Sequence, residues 1–208
     1  MSRPARPPRA TDLAPGAAGV HRLRRALERA ELDFVAAVVA DGGIDPWRRR
    51  VDGRFRSARD ALGRSGVSRA ESAALVVALL DHAVRDRCCR QVDADPDPRW
   101  MGLWRHLASR ALPPYRTEPL FLLAWTAWRR GDVATARVAL GCARVQEPGH
   151  QASDLLGRLL WAGADSGRLW AGADSGRLLW AGADPGGLPL LAGDPSTGDL
   201  QRSAGTTR

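Results

Sequence analysis

Residues 119–148, PLFLLAWTAWRRGDVATARVALGCARVQEP, hold two apolar blocks separated by a polar corner, Arg129-Arg130-Gly131-Asp132. Leu120, Leu123, Ala124 and Ala127 fall on one side of a helix, and Ala136, Leu140 and Ala143 on one side of a second, because residues three and four apart share a face. Gly131 supplies the conformational freedom of a tight corner, and Pro148 closes the unit. The spacing predicts a helical hairpin with small residues at its crossing, where two backbones approach closely. Period-two alternation and hairpin-turn signals are missing along the rest of the chain, so the expected class is all-α.

Helix signals recur on both sides. Val20, Leu23, Leu27, Phe34, Val35 and Val38 predict a first helix that Gly42-Gly43 stops. Asp45-Pro46 reads as a cap with a proline in the first turn, opening a second helix through Trp47, Val51, Phe55, Ala58 and Leu62. Ser68 and Glu71 form a capping box at the head of SRAESAALVVALLDHAVRD, a third helix whose middle, Leu75 to Leu80, is apolar almost all round and so belongs at the centre of a bundle. Trp100, Leu103, Trp104 and Leu107 mark a fourth, ended by Pro113-Pro114. With the hairpin and a covering helix from Gln151 to Leu160, the expectation is a bundle of about six or seven helices over residues 20–160.

The hairpin, about residues 117–150, resembles one tetratricopeptide repeat, although Leu120 and Ala127 stand where that repeat prefers large aromatics. There is no second clear copy, so the resemblance implies one such unit inside a helical domain. A wider resemblance starts near Gly66 and runs to Ala164. Val84-Arg85-Asp86, Pro119, Leu122-Leu123-Ala124-Trp125, Ala127-Trp128, Gly131-Asp132 and Glu147-Pro148 resemble the C-terminal half of an actinobacterial family, domain of unknown function 4192. That likeness implies a fold and transfers no activity.

The ends read differently. Residues 1–19 are rich in Arg, Pro and Ala without apolar periodicity, which is the composition of a disordered start. WAGADSGRL stands at 161–169 and again at 170–178, followed by WAGADPGGL at 180–188. A period of nine suits neither a heptad nor a solenoid, so residues 161–208 are expected to be a duplicated, flexible tail.

The chain has 31 basic residues, all Arg, and a formal net charge of +8. Residues 1–64 hold fourteen Arg against eight acids, so a nucleic-acid contact through Arg22, Arg25, Arg29, Arg48, Arg49 and Arg50 within residues 20–64 is one expectation. Glu28, Glu31 and Asp33 interrupt that run, which equally suits a solvated face with intrahelical ion pairs. Cys88, Cys89 and Cys142 are odd in number and lack metal spacing. Together with the absence of a long apolar span or a signal-peptide core, they suggest a cytoplasmic protein that does not enter a membrane.

Chemistry is sparse. Asp81, His82 and Asp86 cluster in sequence, with His82 and Asp86 one turn apart, yet a metal or general-base site would need His106 brought in from elsewhere. Phosphate loops, serine elbows and zinc signatures are missing, so no catalytic or metal residue is assigned, no cofactor is implied, and the reading is non-enzymatic. Phe121, Trp125 and Trp128 at i, i+4 and i+7, beside Arg129, form the other candidate: an aromatic groove on the helix at 117–130 for a peptide or a partner helix. The competing expectation is that neighbouring helices fill that groove, in which case a polar group should stand beside the Trp125 indole. The function expected from sequence is thus a helical interaction module with a protein partner.

Overall fold

The computed structural model describes residues 19–163 of the 208. Among these, eight helices and no strand are found: α1 (Val20–Ala40), α2 (Ile44–Leu62), α3 (Arg69–Ala78), α4 (His82–Ala94), α5 (Arg99–Arg110), α6 (Thr117–Arg129), α7 (Val133–Gln146) and α8 (Gln151–Trp161). The all-α class holds. The expectations for residues 1–18 and for the nine-residue copies beyond Gly163 fall outside the described residues.

The count exceeds six or seven because the third helix expected from sequence is two. At Leu79–Asp81 the chain turns, and Asp81 caps α4 by accepting from the Ala83 amide at 2.9 Å. Arg48 of α2 grips the same carboxylate at 2.7 and 3.0 Å, so a contact 33 residues away holds the break. The capping box forms in half. Ser68 Oγ accepts from Glu71 N at 3.1 Å, but the Glu71 carboxylate turns away to a two-pronged pair with Arg54 at 3.0 and 2.7 Å. The start of α2 also differs by two residues: Gly43, at φ 127°, precedes it and Asp45 lies inside its first turn. A side chain at Gly43 would be strained, so the glycine sets the corner in place of an Asp cap.

The hairpin forms as expected from α6 and α7. Gly131 sits at φ 76°, with Gly131 N–H bonded to Trp128 O at 2.9 Å and Asp132 N–H to Ala127 O at 2.8 Å. This paired closure satisfies the last carbonyls of α6. Asp132 then caps α7 through the Thr135 amide at 3.0 Å, and Ala136, Ala139 and Ala143 are fully buried at the crossing. Every residue from Thr117 to Trp128 is buried, because α4, α5, α7 and α8 all pack on α6. Trp104 of α5 donates its indole N–H to Thr126 Oγ1 at 3.0 Å, and that hydroxyl donates to Leu122 O at 2.8 Å. On the far side of the domain, α1 lies over α3 and α2 and forms one of its outer faces.

Candidate functional site

The aromatic row on α6 is core, which corrects the groove expected there. Phe121, Trp125 and Trp128 retain 0%, 1% and 2% of their exposure. Trp125 Nε1 donates to Asp93 Oδ1 of α4 at 3.2 Å, and Arg129 pairs with Asp93 at 2.8 Å. The polar partner beside the indole marks a side chain that left water. Phe121 meets His150 at the head of α8, Trp125 and Arg129 meet Asp93 of α4, and Trp128 packs on Trp125, so the row lines no open groove.

Beside the row lies a cluster of buried charges. Arg85 bonds Asp86 at 2.9 Å and stands 3.5 Å from Glu118 Oε1; its guanidinium also lies 5.8 Å from the centre of the Phe121 ring. Burial works against the Arg85 charge, but Glu118 and Asp86 outweigh it and hold its pKa above the ordinary value. His150 Nε2 meets Glu118 Oε1 at 3.2 Å, while His150 Nδ1 takes Ser153 Oγ at 2.7 Å and Ser153 N–H at 3.3 Å. The backbone donor makes Nδ1 the acceptor, so Nε2 carries the proton and donates it to Glu118. Ser153, His150 and Glu118 thus stand in the order of a nucleophilic triad. Ser153 is fully buried and its backbone N–H, donated to His150 Nδ1, closes the cap of α8, so the arrangement joins α4, α6 and α8 and offers no substrate access.

The other candidate ligands stay apart. His82 is exposed at the start of α4, Asp86 is buried in the cluster, and His106 lies on α5 against Ser72 Oγ at 3.1 Å. No group of three His, Cys, Asp or Glu suited to a metal occurs among the described residues. Cys88 and Cys89 are fully buried, and burial pushes both thiols well above the usual thiol range, which makes them poor nucleophiles.

His106 yields a pH prediction. Burial, and then the Arg110 guanidinium bonded to its Nδ1 at 2.9 Å, lower its pKa from the ordinary 6.5 to about 4. Between those values the unfolded chain binds a proton that the folded chain refuses, so acid favours unfolding there. Stability should fall as the pH drops from about 6.5 to about 4. His106→Gln should flatten that share of the slope in urea titrations at stepped pH; parallel curves for the two proteins would refute the assignment.

Open space lies on the opposite side. A groove of about 710 Å³ runs between α1, α2 and α3. Ala26, Ala30, Phe34 and Ala37 of α1, Trp47 of α2, and Ala74 and Val77 of α3 give it an apolar lining, and Phe34 packs edge-on to Trp47 with centroids 4.9 Å apart. Five arginines and two acids stand around it: Arg22, Arg25, Arg29, Arg54 and Arg69 against Asp33 and Glu71. Arg29 is taken up by Asp33 at 3.1 Å and Arg54 by Glu71. That leaves Arg22, Arg25 and Arg69 with no ion pair among the described residues.

Of the six arginines singled out in the sequence, Arg22, Arg25 and Arg29 share this rim. Arg48 is bound to Asp45 and Asp81, Arg50 is bound to Asp41 at 2.6 Å, and Arg49 is exposed. The second trio follows the far end of α1, more than about 15 Å along the helix from Arg29 at 1.5 Å per residue. The six do not form one surface.

A family model described as Domain of unknown function (DUF4192) matches residues 6–166. The chain belongs to that family. The DUF4192 match begins well before Gly66, so α1, α2 and the groove they build with α3 fall inside the family region, which the shorter resemblance read from sequence left out. The buried cluster of Arg85, Asp86, Glu118 and His150 falls inside it too. No curated protein and no solved structure matches the chain. Among the described residues no helix is long and apolar enough to cross a membrane.

Proposed function

We propose that the domain is a non-enzymatic interaction module that takes an acidic amphipathic helix of a partner protein into the groove between α1, α2 and α3. One observation carries the reading: an apolar lining edged by Arg22, Arg25 and Arg69, which make no ion pair among the described residues. Arginine on the rim suits carboxylates, and the Ala-rich lining suits one apolar helix face. A nucleic-acid backbone would use the arginines and leave the lining empty, so the protein partner is favoured. In this reading the tetratricopeptide-like α6–α7 hairpin and its covering α8 serve as the scaffold. The protein works in the cytoplasm, where Cys88 and Cys89 stay reduced.

A fluorescein-labelled peptide of about 18 residues, five turns of helix, with Leu on one face and Glu on the other, tests this by anisotropy. Changing Arg22, Arg25 and Arg69 together to Glu should weaken binding at least about tenfold. Ala74→Trp, which fills the lining and leaves every arginine in place, should do the same. A labelled DNA duplex that binds more tightly than the peptide, with steep salt dependence and indifference to Ala74→Trp, would establish the phosphate reading instead.

A further inference from the structure

The last third of α1 is apolar all round but covered on one side only. Residues 34–40 read FVAAVVA, with no polar side chain over nearly two turns. Phe34, Ala37 and Val38 pack against the core, whereas Leu32, Val35 and Val39 remain 75%, 64% and 73% exposed. These three recur at i, i+3 and i+7, and Ala36 and Ala40 extend the same face. None of the five lines the α1–α2–α3 groove. A helix with this pattern is ordinarily buried on both sides, and a contiguous apolar stripe on a domain surface marks an interface.

We infer that this stripe is a self-association surface, pairing antiparallel with α1 of a second copy about a two-fold axis between Val35 and Ala36. Its own sequence argues for the occupant. In an antiparallel pair centred there, position i meets position 71 − i, which sets Leu32 against Val39 of the second copy and Val35 against Ala36. Large thus meets smaller at each step, as ridges packing into grooves require, and the same patch serves both copies. Charge agrees. Glu28, one turn before the stripe, is exposed and has no ion pair among the described residues, and so is Arg49, just past the Gly42-Gly43 corner that ends it. Antiparallel pairing sets Glu28 of each copy opposite Gly43 of the other, the corner from which α2 leads to Arg49 in its second turn. A parallel pair would stack Glu28 on Glu28.

One helix pair covers less than the roughly 1,200 Å² typical of tight complexes, so the dimer should be weak and form in the micromolar range. The proposal is independent of the groove. The stripe variants leave every groove residue unchanged, and the groove variants leave the stripe unchanged, so either reading can fail alone.

Sedimentation velocity of the full chain, from about one micromolar to several hundred micromolar, reads the association. The mass should rise from monomer to dimer across the series. Val35→Glu should weaken the dimer at least about tenfold by burying a charge at the axis, while far-UV circular dichroism stays that of the native chain. Glu28→Arg and Arg49→Glu should each weaken it, and the two together should restore it, a rescue that a nonspecific hydrophobic contact would not give. A monomer throughout the series overturns the proposal, as does a dimer unmoved by Val35→Glu. A dimer lost in Val35→Glu but insensitive to the Glu28 and Arg49 reversals overturns the antiparallel register.

Discussion

Trp125→Ala and Trp128→Ala are each expected to lower folding stability by about 3–5 kcal/mol, the usual cost of emptying a buried aromatic site. The two indoles pack edge to face with centroids 5.4 Å apart, and Phe121 lies 6.3 Å from Trp125. Each truncation therefore strips contacts from a neighbouring ring as well. Trp125→Ala also takes away an N–H that the half-buried Asp93 carboxylate now accepts, which adds a smaller share to the cost. Total stabilities of such domains run to about 5–15 kcal/mol, so the double variant should lose cooperative unfolding altogether. Urea denaturation followed by far-UV circular dichroism measures this. A loss below about 1 kcal/mol, a surface-like value, would place the row in solvent and reopen it as a docking surface.

The same row shows where sequence reading stops. The spacing of Phe121, Trp125 and Trp128 was legible from residues alone, and it does put three aromatics on one side of α6. What covers that side is set by α4 and α8, whose contributing residues lie some thirty positions away: Asp93 for Trp125, and His150, which meets the Phe121 ring edge-on at 5.6 Å. Periodicity reports a face and is silent about its neighbour. The hairpin was legible because all its determinants are local, namely Gly131 for the corner, Asp132 for the cap and alanines for the crossing. The break between α3 and α4 was not. ALLDH contains neither Gly nor Pro, and Asp81 becomes a cap there with Arg48 of α2 holding it from outside the helix.

The groove was half legible for the same reason. Arg22, Arg25 and Arg29 recur at helical spacing, so a basic edge on α1 follows from sequence. Arg69, Trp47 and Ala74 come from two other helices, and only packing brings them to that edge. Cancellation is likewise a tertiary fact: Glu71 neutralises Arg54 because the half-formed capping box frees its carboxylate. The buried cluster of Arg85, Asp86, Glu118 and His150 had a weaker signal. Charged residues such as Arg85 and Asp86 are seldom buried, so nothing in their sequence marks them as interior; their burial follows from α6 and α8 closing over them.

That cluster supports the second large effect. Arg85→Met keeps much of the side-chain length but removes the cation between Asp86 and Glu118, leaving two carboxylates in a site sealed from water. Breaking a buried ion pair by removing one partner costs about 3–5 kcal/mol, chiefly the penalty of the charges left behind. The origin of the cost sets the control. If it comes from the two carboxylates that lose their cation, neutralising them with Asp86→Asn and Glu118→Gln in the Arg85→Met background should recover a large part of it, although each amide alone, in a chain that keeps Arg85, should destabilise. The coupling between position 85 and the two acids, read from a mutant cycle in urea, should then fall within about 0.5–3 kcal/mol, the range for residues sharing one network. Additive losses across the cycle would mean that Arg85 acts through its packing on Phe121 and not through its charge. His150 gives an independent reading. Glu118→Gln keeps an acceptor for His150 Nε2–H, so the α8 cap should survive in that variant, and amide exchange at Ser153 should stay slow. Fast exchange there would show that the Glu118 charge, beyond its hydrogen bond, holds α8 onto the core.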